Sequence, residues 1–140
     1  MTTALEITDQ VETRLKLVAP KVMILRGQVP AELPADEAKN VFPYAVIWDG
    51  IGMGDDDAED LSGGTDGSSI YEVHVTIASG KLRWTMEAAA AVRRGLDHWQ
   101  PTGNVERLRD NQTWAPVDLD TEVLPNRHYV PVVFRAAYKE

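Results

Sequence analysis

The sequence predicts an α+β domain, a mainly antiparallel β-sheet packed with two main helices, and a long acidic Gly/Asp loop inside a hairpin. Three observations carry this. Two segments repeat apolar residues at helical spacing, two others alternate apolar and polar residues with the period of a strand, and residues 50–69 gather glycine and acid between neighbouring strands. At 140 residues the chain suits a single domain spanning 1–140.

Thr3-Ala4-Leu5-Glu6 matches a capping box, and Ala4, Ile7, Val11, Leu15 and Val18 then fall on one helical stripe until Pro20, so a helix is expected over 3–18. Residues 21–26 hold Val22, Met23, Ile24 and Leu25, short and apolar enough for a buried strand before Gly27, Pro30 and Pro34 impose a loop. Residues 44–49 are β-branched and aromatic and read as a second strand, with Pro43 at its entry. Residues 50–69 contain six of the ten glycines together with Asp55, Asp56, Asp57, Glu59, Asp60 and Asp66. So little apolar area cannot offset the entropy of ordering, and a mobile loop is expected.

Beyond it Tyr71, Val73, Val75 and Ile77 alternate with Glu72, His74 and Thr76, which makes the flanks of the loop the arms of an antiparallel hairpin. A helix over 81–100 follows, closed by Pro101 and Gly103. Segments 105–109 and 113–117 are short strands or irregular connections, and periodicity does not decide between them. In the last strand Val130, Val132, Phe134, Ala136 and Tyr138 share a face, and Pro131 favours an edge position or a bulge.

Composition narrows the function classes. The absence of cysteine removes disulfides, thiolate nucleophiles and Cys-based metal sites. No apolar run approaches the length of a membrane helix and none opens the chain as a signal peptide, so an intracellular protein without a membrane role is expected. The net charge is −8, and residues 1–70 carry all of it, with 13 of the 22 acids and 5 of the 14 bases. No basic stripe is left to neutralise phosphates, so specific DNA binding lacks its main source of free energy.

No residues of the sequence form a recognisable catalytic motif. His74, His98 and His128 show no metal-ligand spacing and read as structural. Asp118, Asp120 and Glu122 alternate and could form a metal or acid/base cluster, although a solvated loop edge is the plainer reading. Ser79-Gly80-Lys81-Leu82 fails the phosphate-loop pattern, and the acidic run from Asp55 fails the calcium-loop pattern. Neither cofactor nor metal is expected.

The second helix is the most informative element. Leu82, Met86, Ala89, Val92, Leu96 and Trp99 form one apolar stripe, expected to face the core. Trp84, Ala88, Ala91 and Gly95 form another, turned away from the first and lined with small residues that permit close backbone approach. This second stripe is either covered by the first helix or serves as a subunit interface.

Taken together the chain resembles the tail terminator, or tail completion, proteins of long-tailed bacteriophages. The likeness rests on the amphipathic first helix, Val41-Phe42-Pro43-Tyr44-Ala45-Val46-Ile47, the Gly/Asp loop and Tyr71-Glu72-Val73-His74-Val75-Thr76-Ile77. Val92-Arg93-Arg94-Gly95-Leu96 and the closing Phe134-Arg135-Ala136-Ala137-Tyr138 complete it.

The resemblance implies a non-enzymatic virion protein of the phage tail, assembled in the host cytoplasm. It implies a homo-oligomeric, hexameric ring that caps the head-proximal end of the tail tube, stops its polymerisation and presents the head-docking surface. The implied partners are further copies of itself, the tail tube protein and the head–tail connector protein, with DNA passing through the lumen without specific binding. Trp84, Ala88, Ala91 and Gly95 are then the candidate subunit interface, and the acids at 55–57, 59, 60 and 66 face the lumen or a partner. Alternatives are another neck or tail component such as a head–tail adaptor, a small metal-dependent hydrolase, and an acidic module that mimics DNA. A hydrolase needs a pocket with perturbed titratable groups, and a mimic spreads its acids over folded surface.

Overall fold

The computed structural model describes residues 2–50, 53–54, 68–111 and 116–139. Among them the order is α1 (Ala4–Val18), β1 (Met23–Arg26), β2 (Tyr44–Trp48), β3 (Met53–Gly54), β4 (Ser68–Ser79), α2 (Leu82–Leu96), β5 (Arg109–Asp110), β6 (Asp118–Asp120) and β7 (Arg127–Lys139). The capping box forms as the sequence predicts. Thr3 Oγ1 accepts from the Glu6 amide at 3.2 Å, and the Glu6 carboxylate accepts from the Thr3 amide at 3.3 Å.

The strands form one sheet in the order β1-β2-β4-β7-β5, with β3 added to β4 and β6 to β7. Every pairing is antiparallel except β1 with β2. That pair is parallel because residues 27–43 cross from the end of β1 back to the start of β2. β4 and β7 pair along their whole lengths, from Ser68↔Lys139 to Ser79↔His128, and form the spine of the molecule.

Each alternating strand lays one row on the core, as its period requires. Tyr71, Val73, Val75 and Ile77 of β4 meet Val130, Val132, Phe134, Ala136 and Tyr138 of β7. Both helices cover this face, α1 through Ile7, Val11 and Leu15 and α2 through Ala88, Val92 and Leu96. A second cluster of Val41, Tyr44, Val46 and Ala78 lies on the opposite face, with Leu25, Leu33 and Tyr129 packed against it. This explains why β2 is buried on both sides. The architecture is thus the expected α+β arrangement of a mainly antiparallel sheet with two helices.

Two readings need correction. β7 is central, not an edge strand. Pro131 is accommodated because β6 pairs with residues 127–129 and β5 with 134–135, so the proline falls in the interval between these short partners. The second helix ends at Leu96, well before the expected residue 100, where Asp97 adopts an extended conformation and His98 a left-handed one at φ 65°. The hairpin around the acidic segment is present, since β2 pairs with β4 and β3 extends that edge through Met53↔Ile70 and Gly54↔Ser69. Asp55, Asp56, Asp57, Glu59, Asp60 and Asp66 themselves lie outside the described residues.

Candidate functional site

The buried positions of α2 are Thr85, Ala88, Val92, Gly95 and Leu96. They are drawn from both predicted stripes and from a threonine that belonged to neither. Leu82 and Met86, expected in the core, are 46% and 56% exposed. Ala88 and Gly95, for which cover by the first helix and a subunit interface were both open, are internal. Gly95 lies against α1 so closely that a Cβ built there would stand 2.3 Å from Val18 Cγ2, and its carbonyl accepts from Arg14 Nε at 3.0 Å. Gly95, the smallest residue of this stripe, serves helix crossing within the chain.

The two other residues of the stripe remain accessible. Trp84 and Ala91 are half-buried and line an apolar cleft of about 490 Å³ between α2, Pro43 and the chain leaving α1. Trp84 stacks on Phe42, with ring centroids 5.8 Å apart, and Lys81 Nζ lies 4.6 Å from the Trp84 ring. Phe42 is itself 46% exposed. The core face of α2 is therefore flanked by two apolar patches. One is Leu82 with Met86. The other is Trp84 with Phe42 and the Ala91 cleft.

Thr85 is tolerated in the core because its hydroxyl is satisfied. It lies 2.7 Å from Ser79 Oγ, 3.1 Å from the His128 carbonyl and 3.3 Å from the Lys81 carbonyl, and Ser79 and Thr85 are both fully buried. Gly80, the glycine of the failed phosphate-loop pattern, has a structural reason. A Cβ there would lie 2.7 Å from the Val41 nitrogen and 2.8 Å from Asn40 Cα.

The histidines take part in local polar contacts. His74 Nε2 lies 2.6 Å from Glu72 Oε1, and Glu72 also accepts from Arg135 Nε at 2.5 Å. Burial pushes the Glu72 carboxyl up, but hydrogen bonds from His74 and Arg135 outweigh it and hold the group below the usual carboxylate range. His98 Nδ1 accepts from Arg109 at 2.7 Å, and the His128 carbonyl meets Thr85. Asp118 and Asp120 lie on β6 with Glu122 just beyond it, and Asp120 Oδ1 accepts from the Glu122 amide at 3.0 Å. Among the described residues no three histidine or carboxylate side chains converge on a point where a metal could sit. No described helix is long and apolar enough to cross a membrane.

A further polar centre was not singled out from the sequence. Arg26, at the end of β1, donates to Asp9 at 2.9 Å and Glu12 at 3.0 Å on α1, and to Asp49 beyond β2 at 2.8 Å. An arginine ending an apolar strand, with acids spaced one turn apart on the preceding helix, is the signal that marks it.

No protein-family model matches this chain, and no curated protein does. Its likeness to known proteins lies in the fold. Solved structures that match include a chain of the virion of native gene transfer agent (GTA) particle, with a TM-score of 0.53 and 19% sequence identity. The match covers 99% of this chain and 92% of that one, so the shared fold extends over essentially the whole length of both.

Proposed function

We propose that this chain is a structural component of a phage-like virion, and more closely a tail terminator. It forms a ring on the head-proximal end of the tail tube, stops the tube from growing and offers the surface on which the head docks. The observation that carries this reading is the whole-chain likeness to a chain of a gene transfer agent virion, joined to the resemblance in the order of elements and motifs.

The apolar flanks of α2 support it. A closed ring uses a head-to-tail interface, which needs two different patches on each subunit. Leu82 with Met86 and Trp84 with Phe42 supply two such patches on either side of the buried face. Aromatic residues and methionine are enriched in interface cores. A net charge of −8 suits a protein whose lumen passes DNA without retaining it, and the acidic segment 50–69 is then placed in the lumen or on a partner-facing rim.

The partners on this reading are further copies in a hexamer, the tail tube protein and the head–tail connector protein. Light scattering of the pure protein, and electron microscopy after mixing it with tail tubes, tests it. Rings alone or on tube ends are expected. A chain that stays monomeric in both settings is not a terminator. One that binds connectors while leaving tubes uncapped is a head–tail adaptor.

A further inference from the structure

Arg127, at the start of β7, is only 9% exposed. Its Nη1 donates to the Tyr44 hydroxyl at 3.1 Å, and its guanidinium carbon lies 5.7 Å from the centre of the Tyr44 ring. Its Nε donor is buried with no acceptor. Among the described residues no carboxylate is in ion-pair contact with this guanidinium. Arg127 and Tyr44 line the same cavity of about 270 Å³, on the sheet face away from the helices, together with Val46, Trp48, Tyr129 and Asp120.

A buried guanidinium that, among the described residues, is held by a neutral phenol and an aromatic face alone is an incomplete arrangement. Buried charges are ordinarily paired, and buried donors ordinarily have acceptors. The geometry points to a binding site for a monocarboxylate with an apolar stem, in which the carboxylate pairs with the Arg127 guanidinium and the stem lies among Tyr44, Val46, Trp48 and Tyr129. A planar carboxylate is the acceptor that satisfies two guanidinium donors at once. The walls are aliphatic and aromatic, and the Trp48 indole N–H is already engaged by Thr76 Oγ1 at 3.0 Å, which leaves Arg127 as the anchor. Asp120 adds a negative charge to the lining and selects against multiply charged anions such as phosphate.

The Arg127 Nε–H resonance of the full chain, assigned with Arg127→Gln, reads this directly. Titration with benzoate should move it saturably, while the neutral isostere benzamide and inorganic sulfate should not. Arg127→Lys keeps the charge without the fork and should weaken benzoate binding by about tenfold, and it stands in if Arg127→Gln does not fold. Asp120→Asn should strengthen it. Repeating the titration at two protein concentrations separates the sources of the carboxylate. A benzoate effect independent of concentration indicates a free small molecule, whereas a concentration-dependent shift that benzoate reverses indicates a carboxylate carried by a second copy. The inference fails if benzoate gives no saturable shift, if benzamide acts equally, or if Asp120→Asn alone moves the resonance and benzoate does nothing, since Asp120 would then be the partner.

Discussion

Individual polar side chains tie α1 to the sheet, and their titration is the measurable trace of this. Thr8 donates its hydroxyl to the Ala4 carbonyl at 3.0 Å, so Tyr71 is the donor in the 2.9 Å contact between the Tyr71 and Thr8 hydroxyls. Burial pushes the Tyr71 phenol up to about 12, and Thr8 opposes this only in part. A folded value raised above the unfolded one, near 10, stabilises the fold fully below pH 10, and that contribution disappears as pH rises toward 12. Chemical denaturation across this window should show a loss on the order of 2–3 kcal/mol, two pK units at about 1.4 kcal/mol each, and Tyr71→Phe should abolish this component while costing about 1 kcal/mol at neutral pH. Arg26 acts in the acid range. Burial raises the Glu12 carboxyl, but Arg26 and Lys16 outweigh it and leave the group below its ordinary value of 4.5. A lowered folded value gives stability that is present above pH 4.5 and lost as pH falls. Arg26→Met removes the shared partner of Asp9, Glu12 and Asp49 and should cost about 1–3 kcal/mol at pH 7, with a shallower acid decline than the parent in the same denaturation series.

At the scale of elements, the crossing of α1 over α2 decides which side of α2 is core. Gly95→Ala places a methyl group into Val18 and should destabilise by about 1–3 kcal/mol, and Val18→Ala in the same chain should recover part of the loss, which a double-mutant cycle would measure. Ala88→Glu should unfold the chain or nearly so, because it buries an unpaired charge. Ala91→Glu, at the half-buried margin of the cleft, should fold with a melting temperature close to the parent. The sequence showed that α2 is apolar on two sides but assigned the core to the stripe of larger residues, whereas the buried face draws on both stripes and leaves Leu82 and Met86 exposed. Ala88 and Gly95 look unsuited to a core until a second helix runs close by, and Thr85 looks polar until Ser79 and the His128 carbonyl satisfy it. Both are facts of tertiary contact that helical period does not encode. The strand rows of β4 and β7 were legible because half-burial prints a period of two directly on the sequence. The place of β7 in the sheet was not legible, since a proline is admitted to a central strand where its flanking partners are as short as β5 and β6. Of the candidate site, Trp84 and Ala91 could be picked out by spacing, whereas Phe42 joins them only through the fold.

For the whole molecule, the proposed ring raises the question of whether each flank of α2 would meet the same flank of a neighbour or the opposite one. A chain with net charge −8 repels its own copies at long range, so the proposed assembly depends on short-range apolar contact, and Leu82, Met86 and Phe42 are among the exposed large apolar side chains that can supply it. Met86→Glu damages one flank and Ala91→Glu the other, and neither residue is fully buried. If the proposed ring is built through these flanks, each variant alone should fold and fail to form rings. Mixing the two is the decisive measurement. In a head-to-tail interface the Met86→Glu chain still carries an intact Trp84 flank, and the Ala91→Glu chain an intact Leu82 flank. One junction per pair survives, and the mixture should give heterodimers that cannot grow further because both remaining flanks are damaged. If each flank instead met its own kind, Met86→Glu chains would dimerise through the Trp84 flank without any partner, and mixing would add nothing. Sizing by light scattering at equal total protein separates these outcomes, and higher oligomers from either single variant would show that ring contacts lie elsewhere than on α2.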